Sequence, residues 1–120
     1  MADKKFDLVV VGGGPAGYVA AIRGSQLGMQ VACIEEDNLG GVCLNVGCIP
    51  TKALLSSALL VNDCKLAAAH GITFDNFRSD LGPAQKRSRD IAEKLASGVA
   101  HLFNKNKILH IKGRGRLLGG

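Results

Sequence analysis

At 120 residues the chain is long enough to bury a core and no longer than one domain. Its 47% apolar and 21% charged residues, with a net charge of +5, exclude a disordered chain, and its 16 glycines are about twice the usual share of roughly 7%. No apolar run approaches the roughly 18 residues of a membrane span, and Asp7 interrupts the start so that it does not read as a signal peptide, which predicts a soluble cytoplasmic protein with no membrane partner.

Phe6 to Val11 is a short β-branched run of the kind expected in a strand covered on both faces. A glycine cluster ends it. From Pro15 to Leu27, Ala16, Ala20, Ala21, Gly24 and Leu27 recur at helical spacing, with Pro15 suited to a first turn and Gly28 to a C-terminal cap. Gln30 to Glu35 is a second strand. Phe6 to Glu35 is therefore a β-α-β unit with parallel strands and a right-handed crossover, and the fold class is α/β.

The turn between the first strand and helix reads Gly12-Gly13-Gly14-Pro15-Ala16-Gly17, which fits G-x-G-x-x-G. Gly12 suits the tight turn, Gly14 the close approach of a pyrophosphate, and Gly17 close contact of helix and strand. The motif follows a strand and opens a helix whose N-terminal dipole favours phosphate, and Glu35 lies eighteen residues after Gly17, where its carboxylate can accept bonds from ribose hydroxyls. Glu36 and Asp37 read as surface acids.

Four cysteines without a secretory signal argue against a structural disulfide framework and leave metal binding or redox chemistry. Cys33 and Cys64 lie in apolar strand-like and helical runs and read as buried bystanders. Cys43 and Cys48 sit in Gly40-Gly41-Val42-Cys43-Leu44-Asn45-Val46-Gly47-Cys48-Ile49-Pro50-Thr51-Lys52. Five residues apart, they would be about 8.6 Å apart in a helix and roughly 16 Å in a strand, whereas a disulfide needs roughly 4.4 to 6.8 Å between Cα atoms. If they pair, the backbone between them is bent, and Gly47 and Pro50 are residue types that allow it. A zinc site, two inert buried thiols and a redox pair remain open. Zinc lacks a C-x2-C or a nearby histidine, while a helix start at Cys48 and Lys52 one turn on favour a thiolate and hence a redox pair.

Thr51 to Ala69 continues as a helix that Gly71 ends, and Ile72 to Gly82 is a polar loop holding Phe74 and Phe77. Asp80 and Pro83 open a helix packed by a stripe of Ile91, Leu95, Val99 and Leu102. Ile108 to Ile111 is a third strand leading into Gly113-Arg114-Gly115. From Gln85 to Arg116 there are nine Lys or Arg against Asp90 and Glu93, but with the single aromatic Phe103 the stretch reads as a solvated helix face and not as a nucleic-acid binder.

A dinucleotide loop followed by this cysteine run resembles the flavin-dependent pyridine nucleotide-disulfide oxidoreductases, through Val9 to Ala21, Gly40 to Leu55, His70-Gly71-Ile72 and Asn106 to Leu117. Ala53-Leu54-Leu55 leans toward the dihydrolipoyl-oxidising branch of that family and away from glutathione reductases, while mercuric reductases share most of the run. The resemblance implies a Rossmann-like FAD-binding unit with a parallel sheet and packed helices, an incomplete FAD/NAD(P)-binding domain. FAD would lie with its pyrophosphate at Gly12, Gly14, Pro15, Ala16 and Gly17, its adenosine ribose on Glu35, and its remaining contacts at Gly41, Val42, Cys43, Lys52 and the backbone of Gly115.

By the same resemblance Cys43, Cys48 and Lys52 are catalytic: Cys48 is the thiol nearest the flavin, Cys43 the one that exchanges with substrate, and Lys52 tunes the flavin. No residue is assigned to a metal. Val42 stands where the family usually has Thr, and Ala16 replaces a common Gly. Family members are about four times as long, so residues 1–120 would be the N-terminal part of the FAD domain, with the NAD-binding and dimerisation domains and the catalytic His absent; His70, His101 and His110 match no such motif. The implied partners are the dihydrolipoyl domains of 2-oxoacid dehydrogenase or glycine cleavage complexes, with NAD as electron acceptor and a homodimer in the full-length enzyme. The chain alone would not complete the cycle. The alternative is a standalone, non-catalytic flavin-binding or redox module.

Overall fold

The computed structural model describes residues 4–119. Strand β1 (Leu8–Val11), helix α1 (Pro15–Gln26) and strand β2 (Val31–Glu35) form the expected β-α-β unit. Helices α2 (Gly41–Asn45) and α3 (Cys48–Leu66) follow, then a 3-10 turn at Ala67–His70, a long α4 (Leu81–Lys105) and strand β3 (Leu109–Lys112). The sheet is parallel in the order β1-β2-β3, with Val10 beside Cys33 and Cys33 beside His110.

The core lies on one face of this sheet. In a strand alternate side chains share a face, and Leu8, Val10, Val31 and Cys33 point to the side where Ala21 of α1 and Val99 and Phe103 of α4 pack. The strand residues were expected to be covered on both faces. Instead Val9 and Val11 are 48% and 57% exposed, because among the described residues both helices that reach the sheet lie on its other side.

Helices α3 and α4 make an arm that projects from the sheet. The molecule measures 68 × 25 × 22 Å with a radius of gyration of 20.5 Å, against about 14 Å for a compact domain of this length. Asp80 caps α4, its Oδ1 accepting from the Gly82 N–H at 2.8 Å. The buried stripe of α4 is Ser88, Ala92, Val99 and Phe103. Of the stripe expected from sequence only Val99 belongs to it, while Leu95 and Leu102 are exposed. The helix turns small residues toward α2 and α3, so the larger leucines are displaced outward.

Two further expectations change. Cys64 is half-buried, not buried, since the arm is two helices wide. Contrary to the reading of the sequence, one helical stretch, Gly41–His70, has the length and mean hydropathy (1.5) of a membrane span. It is bent between Val46 and Gly47, carries Lys52, Asp63 and Lys65, and packs along α4 through Pro50 and Ala53.

Candidate functional site: a dinucleotide loop against a dithiol helix

The loop after β1 has every backbone polar group of Gly12 and Gly13 occupied. The Gly12 N–H donates to the Ile34 carbonyl (2.8 Å) and the Gly13 carbonyl accepts from the Gly40 N–H (2.8 Å). The Cys33 thiol donates to the Gly12 carbonyl (3.8 Å), and the Gly13 N–H donates to Glu35 Oε2 (2.7 Å). A loop so tied leaves α1 pointing its start outward, with no side chain capping it. Gly17 is fixed by close approach: a Cβ there would lie 1.8 Å from the Gly12 carbonyl oxygen. An uncapped helix start over a bare glycine loop suits a phosphate.

Glu35 ends β2 and accepts from two backbone N–H groups, Gly13 through Oε2 and Asp37 through Oε1 (2.8 Å). These bonds, that from Asp37 first, hold its carboxyl below the ordinary value. A carboxylate has about four lone-pair positions, so two remain for hydroxyls. Beside it a cleft of ≈ 230 Å³ is lined by Gly12, Glu35, Glu36, Arg114 and Gly115 among others. Gly115 packs so closely on Val11 that a Cβ would lie 2.7 Å from that side chain. The cleft sits at the C-terminal ends of parallel strands, where such sheets take nucleotides, and the bare glycine backbone, uncapped helix and free carboxylate positions fit a dinucleotide such as FAD.

The two cysteines stand on either side of a helix break. Cys43 lies in α2, which ends at Asn45, and Cys48 is the first residue of α3. Gly47 lies at the bend with φ −121° and ψ −114°, and Pro50 falls in the first turn of α3, where a missing N–H leaves no bond unmade. Both cysteines are free thiols, Cys43 half-buried and Cys48 exposed. They interact: a hydrogen bond to the Cys48 side chain, then desolvation and the Cys48 charge, push the Cys43 thiol above its ordinary value.

The dithiol helix and the dinucleotide loop meet backbone to backbone. Gly41 opens α2 with φ +58°, and a Cβ there would lie 2.8 Å from the Gly14 Cα. Gly12, Gly14, Gly17, Glu35, Gly41 and Gly115 are thereby brought together, with Pro15 and Ala16 exposed at the helix start. Val42 is 72% exposed at the edge of a cleft shared with Glu35, Asn45 and Val46. Lys52 is not in these clefts. It is exposed one turn beyond Cys48 and lines a separate groove with Leu55, Leu59 and Asp63.

Several residues escaped the sequence reading. Glu36, read as a surface acid, lines the cleft beside Glu35, and Asp37 donates to it. Asn45, between the cysteines, donates from its side-chain amide to the Leu39 (3.1 Å) and Gly41 (2.9 Å) carbonyls. Its place inside the cysteine run was the only signal available. Part of the basic stretch read as solvated is also engaged, since Arg87 donates to the Ala53 carbonyl (3.2 Å) and Arg89 to the Asn45 carbonyl (3.0 Å).

The sequence model of the family described as pyridine nucleotide-disulphide oxidoreductase matches residues 6–119. The chain is similar to a dihydrolipoyl dehydrogenase of Zymomonas mobilis, 53% identical over 119 residues, covering 99% of this chain and 25% of the relative. It is similar to a dihydrolipoyl dehydrogenase of Cupriavidus necator at 47% identity, covering 97% of this chain and 27% of the relative. A third, dihydrolipoyl dehydrogenase 2, mitochondrial, of Arabidopsis thaliana, is 50% identical over 93% of this chain and 22% of its own length. The chain thus spans about a quarter of the length of these curated relatives.

Proposed function

The chain belongs to the pyridine nucleotide-disulphide oxidoreductase family, and from that premise we propose that it is the FAD-binding and dithiol-bearing segment of a dihydrolipoyl dehydrogenase. The observation that supports the reading is the close approach of Gly14 and Gly41, which brings the glycine loop against the start of the helix that carries Cys43. The names of the relatives support dihydrolipoyl groups as the substrate.

FAD, when bound, supplies a two-electron carrier between the dithiol and NAD. The chain's own residues bind and orient it: the start of α1 and the glycine loop at the pyrophosphate, Glu35 at a ribose, and the Gly115 backbone beside the adenosine cleft. Cys43 and Cys48 take two electrons and two protons from a dihydrolipoyl group as their disulfide opens to two thiols, and close again as electrons leave. Cys43, in α2, is assigned to exchange with the substrate, and Cys48, which opens α3, to the flavin side. Lys52 sits one helical turn from Cys48 and contributes a nearby cation.

Residues 1–120 contain one G-x-G-x-x-G and no second, so NAD would be bound by other residues, and the chain alone does not complete the cycle. The partners on this reading are the dihydrolipoyl domains of 2-oxoacid dehydrogenase or glycine cleavage complexes, with a homodimer at full length. The proposed compartment is the cytoplasm, although the plant relative is named mitochondrial. The test is to add FAD to the purified chain and then titrate with dihydrolipoamide. A bound flavin spectrum and dihydrolipoamide-driven reduction of a Cys43–Cys48 disulfide are expected. A colourless protein, or a disulfide that dihydrolipoamide leaves intact, overturns the reading.

A further inference from the structure

Three consecutive residues of α4 each reach a backbone carbonyl of the cysteine segment. Arg87 Nη1 donates to the Ala53 carbonyl at 3.2 Å, Ser88 Oγ to Pro50 at 3.0 Å, and Arg89 Nη1 to Asn45 at 3.0 Å. At about 100° per residue they span roughly 200° of the helix surface. Ser88, 1% exposed, points straight at α3 while the arginines grip from either side. Rising numbers on α4 meet falling numbers on the partner segment, as they must in an antiparallel hairpin.

The three carbonyls straddle the bend that separates the two thiols. Asn45 is the last residue of α2, which carries Cys43; Pro50 and Ala53 lie in the first two turns of α3, which opens with Cys48. Helix α2 is five residues long, and isolated helices shorter than about 12 residues are marginal in water. It must therefore be held from outside. Its start is held by Gly41 against Gly14 and its end by Arg89, and the Asn45 amide joins the two through its bonds to Leu39 and Gly41.

We propose that Arg87, Ser88 and Arg89 are positioning residues that hold the α2 and α3 arms so that the Cys43 and Cys48 thiols face one another, and that this clamp sets the dithiol–disulfide equilibrium of the pair. The inference rests on the redox reading of the cysteines. Two thiols held together have a high effective concentration for each other, which favours the closed disulfide. Closing it joins the two Sγ atoms and passes two electrons and two protons to an acceptor such as glutathione disulfide, which becomes two glutathione thiols. Loosening the arms lowers the effective concentration and makes the disulfide easier to reduce.

The test equilibrates the purified chain in mixed reduced and oxidised glutathione at pH 7, traps free thiols by alkylation, and quantifies the Cys43–Cys48 disulfide by mass spectrometry. Arg89→Ala is expected to shift the exchange equilibrium about tenfold toward the dithiol, about 30 mV. Arg87→Ala should shift it in the same direction, and Arg89→Lys, which keeps a cation and a donor, should fall between Arg89→Ala and the parent. Lys86→Ala, on the same helix but paired with Asp90, should not move it. Both arginines are exposed, so these variants leave the core intact. If Arg89→Ala lowers the unfolding temperature while the glutathione equilibrium stays at the parent value, the clamp is structural only and the proposal is overturned. If the parent chain forms no Cys43–Cys48 disulfide in any mixture, the redox reading itself fails and the clamp with it.

Discussion

Gly41 and Gly14 touch through their backbones, so closely that a methyl group on Gly41 would lie 2.8 Å from the Gly14 Cα. The junction of dinucleotide loop and dithiol helix is therefore set by two residues without side chains. Gly41→Ala meets backbone it cannot displace and must also hold φ at +58°, which disfavours an L side chain by about 1–2 kcal/mol. FAD binding to this variant, followed by flavin fluorescence, should weaken at least tenfold, and unchanged affinity would show that the two loops move independently.

Glu35 predicts an acid dependence. Its carboxyl is lowered by the N–H groups of Asp37 and Gly13, so the unfolded chain binds this proton more readily than the native one. The stabilisation is full above the ordinary carboxylate pKa and is lost as pH falls through the lower folded value. Because Glu35 is partly exposed, solvent screens the effect to about 1 kcal/mol. Glu35→Gln should unfold more easily at pH 7 by that amount and match the parent near pH 2, measured by urea denaturation at both pH values. An equal difference at both would refute the assignment to the charge.

Cys43 should titrate above an ordinary thiol because of Cys48. Iodoacetamide labelling of the reduced chain, read peptide by peptide against pH, should show the Cys43 rate rising later than that of a cysteine in the unfolded chain. In Cys48→Ala the principal cause is removed and the profile should move back to lower pH. A Cys43 profile indifferent to that substitution contradicts the thiol contact.

Phe103 is the largest fully buried side chain, 1% exposed between α4 and the sheet and edge-on to His110 at 6.3 Å. Phe103→Ala removes it from the face of the sheet on which α1 and α4 pack. A loss of about 3–5 kcal/mol is expected from such a truncation, measurable as a lower urea midpoint. A loss below 1 kcal/mol would mean that α4 does not anchor the arm.

Much of this protein was legible in its amino acids. The strand-glycine-helix pattern from Phe6 to Glu35 specifies its own local structure, because β-branched runs, an N1 proline and a glycine loop act over a few residues. Gly17 is legible from its motif as a place of close approach, and a Cβ there would lie 1.8 Å from the Gly12 carbonyl oxygen. A bend between Cys43 and Cys48 follows from their spacing only if the two thiols pair, since neither helix nor strand brings residues five apart within disulfide range.

What the chain order could not reveal is which distant groups complete those local pieces. The stripe on α4 differs from the expected one because periodicity identifies an apolar face but not what lies opposite it; Ser88 and Ala92 are buried where α2 and α3 pack on α4, and Leu95 and Leu102 are left outside. Glu35 could be read as a ribose ligand, but its bond to Gly13 spans 22 residues. The grip of Arg89 on Asn45 spans 44. A sequence determines the chemistry it carries and the turns it can make locally; only packing decides which carbonyl a distant arginine meets, because that depends on how whole helices lie against each other.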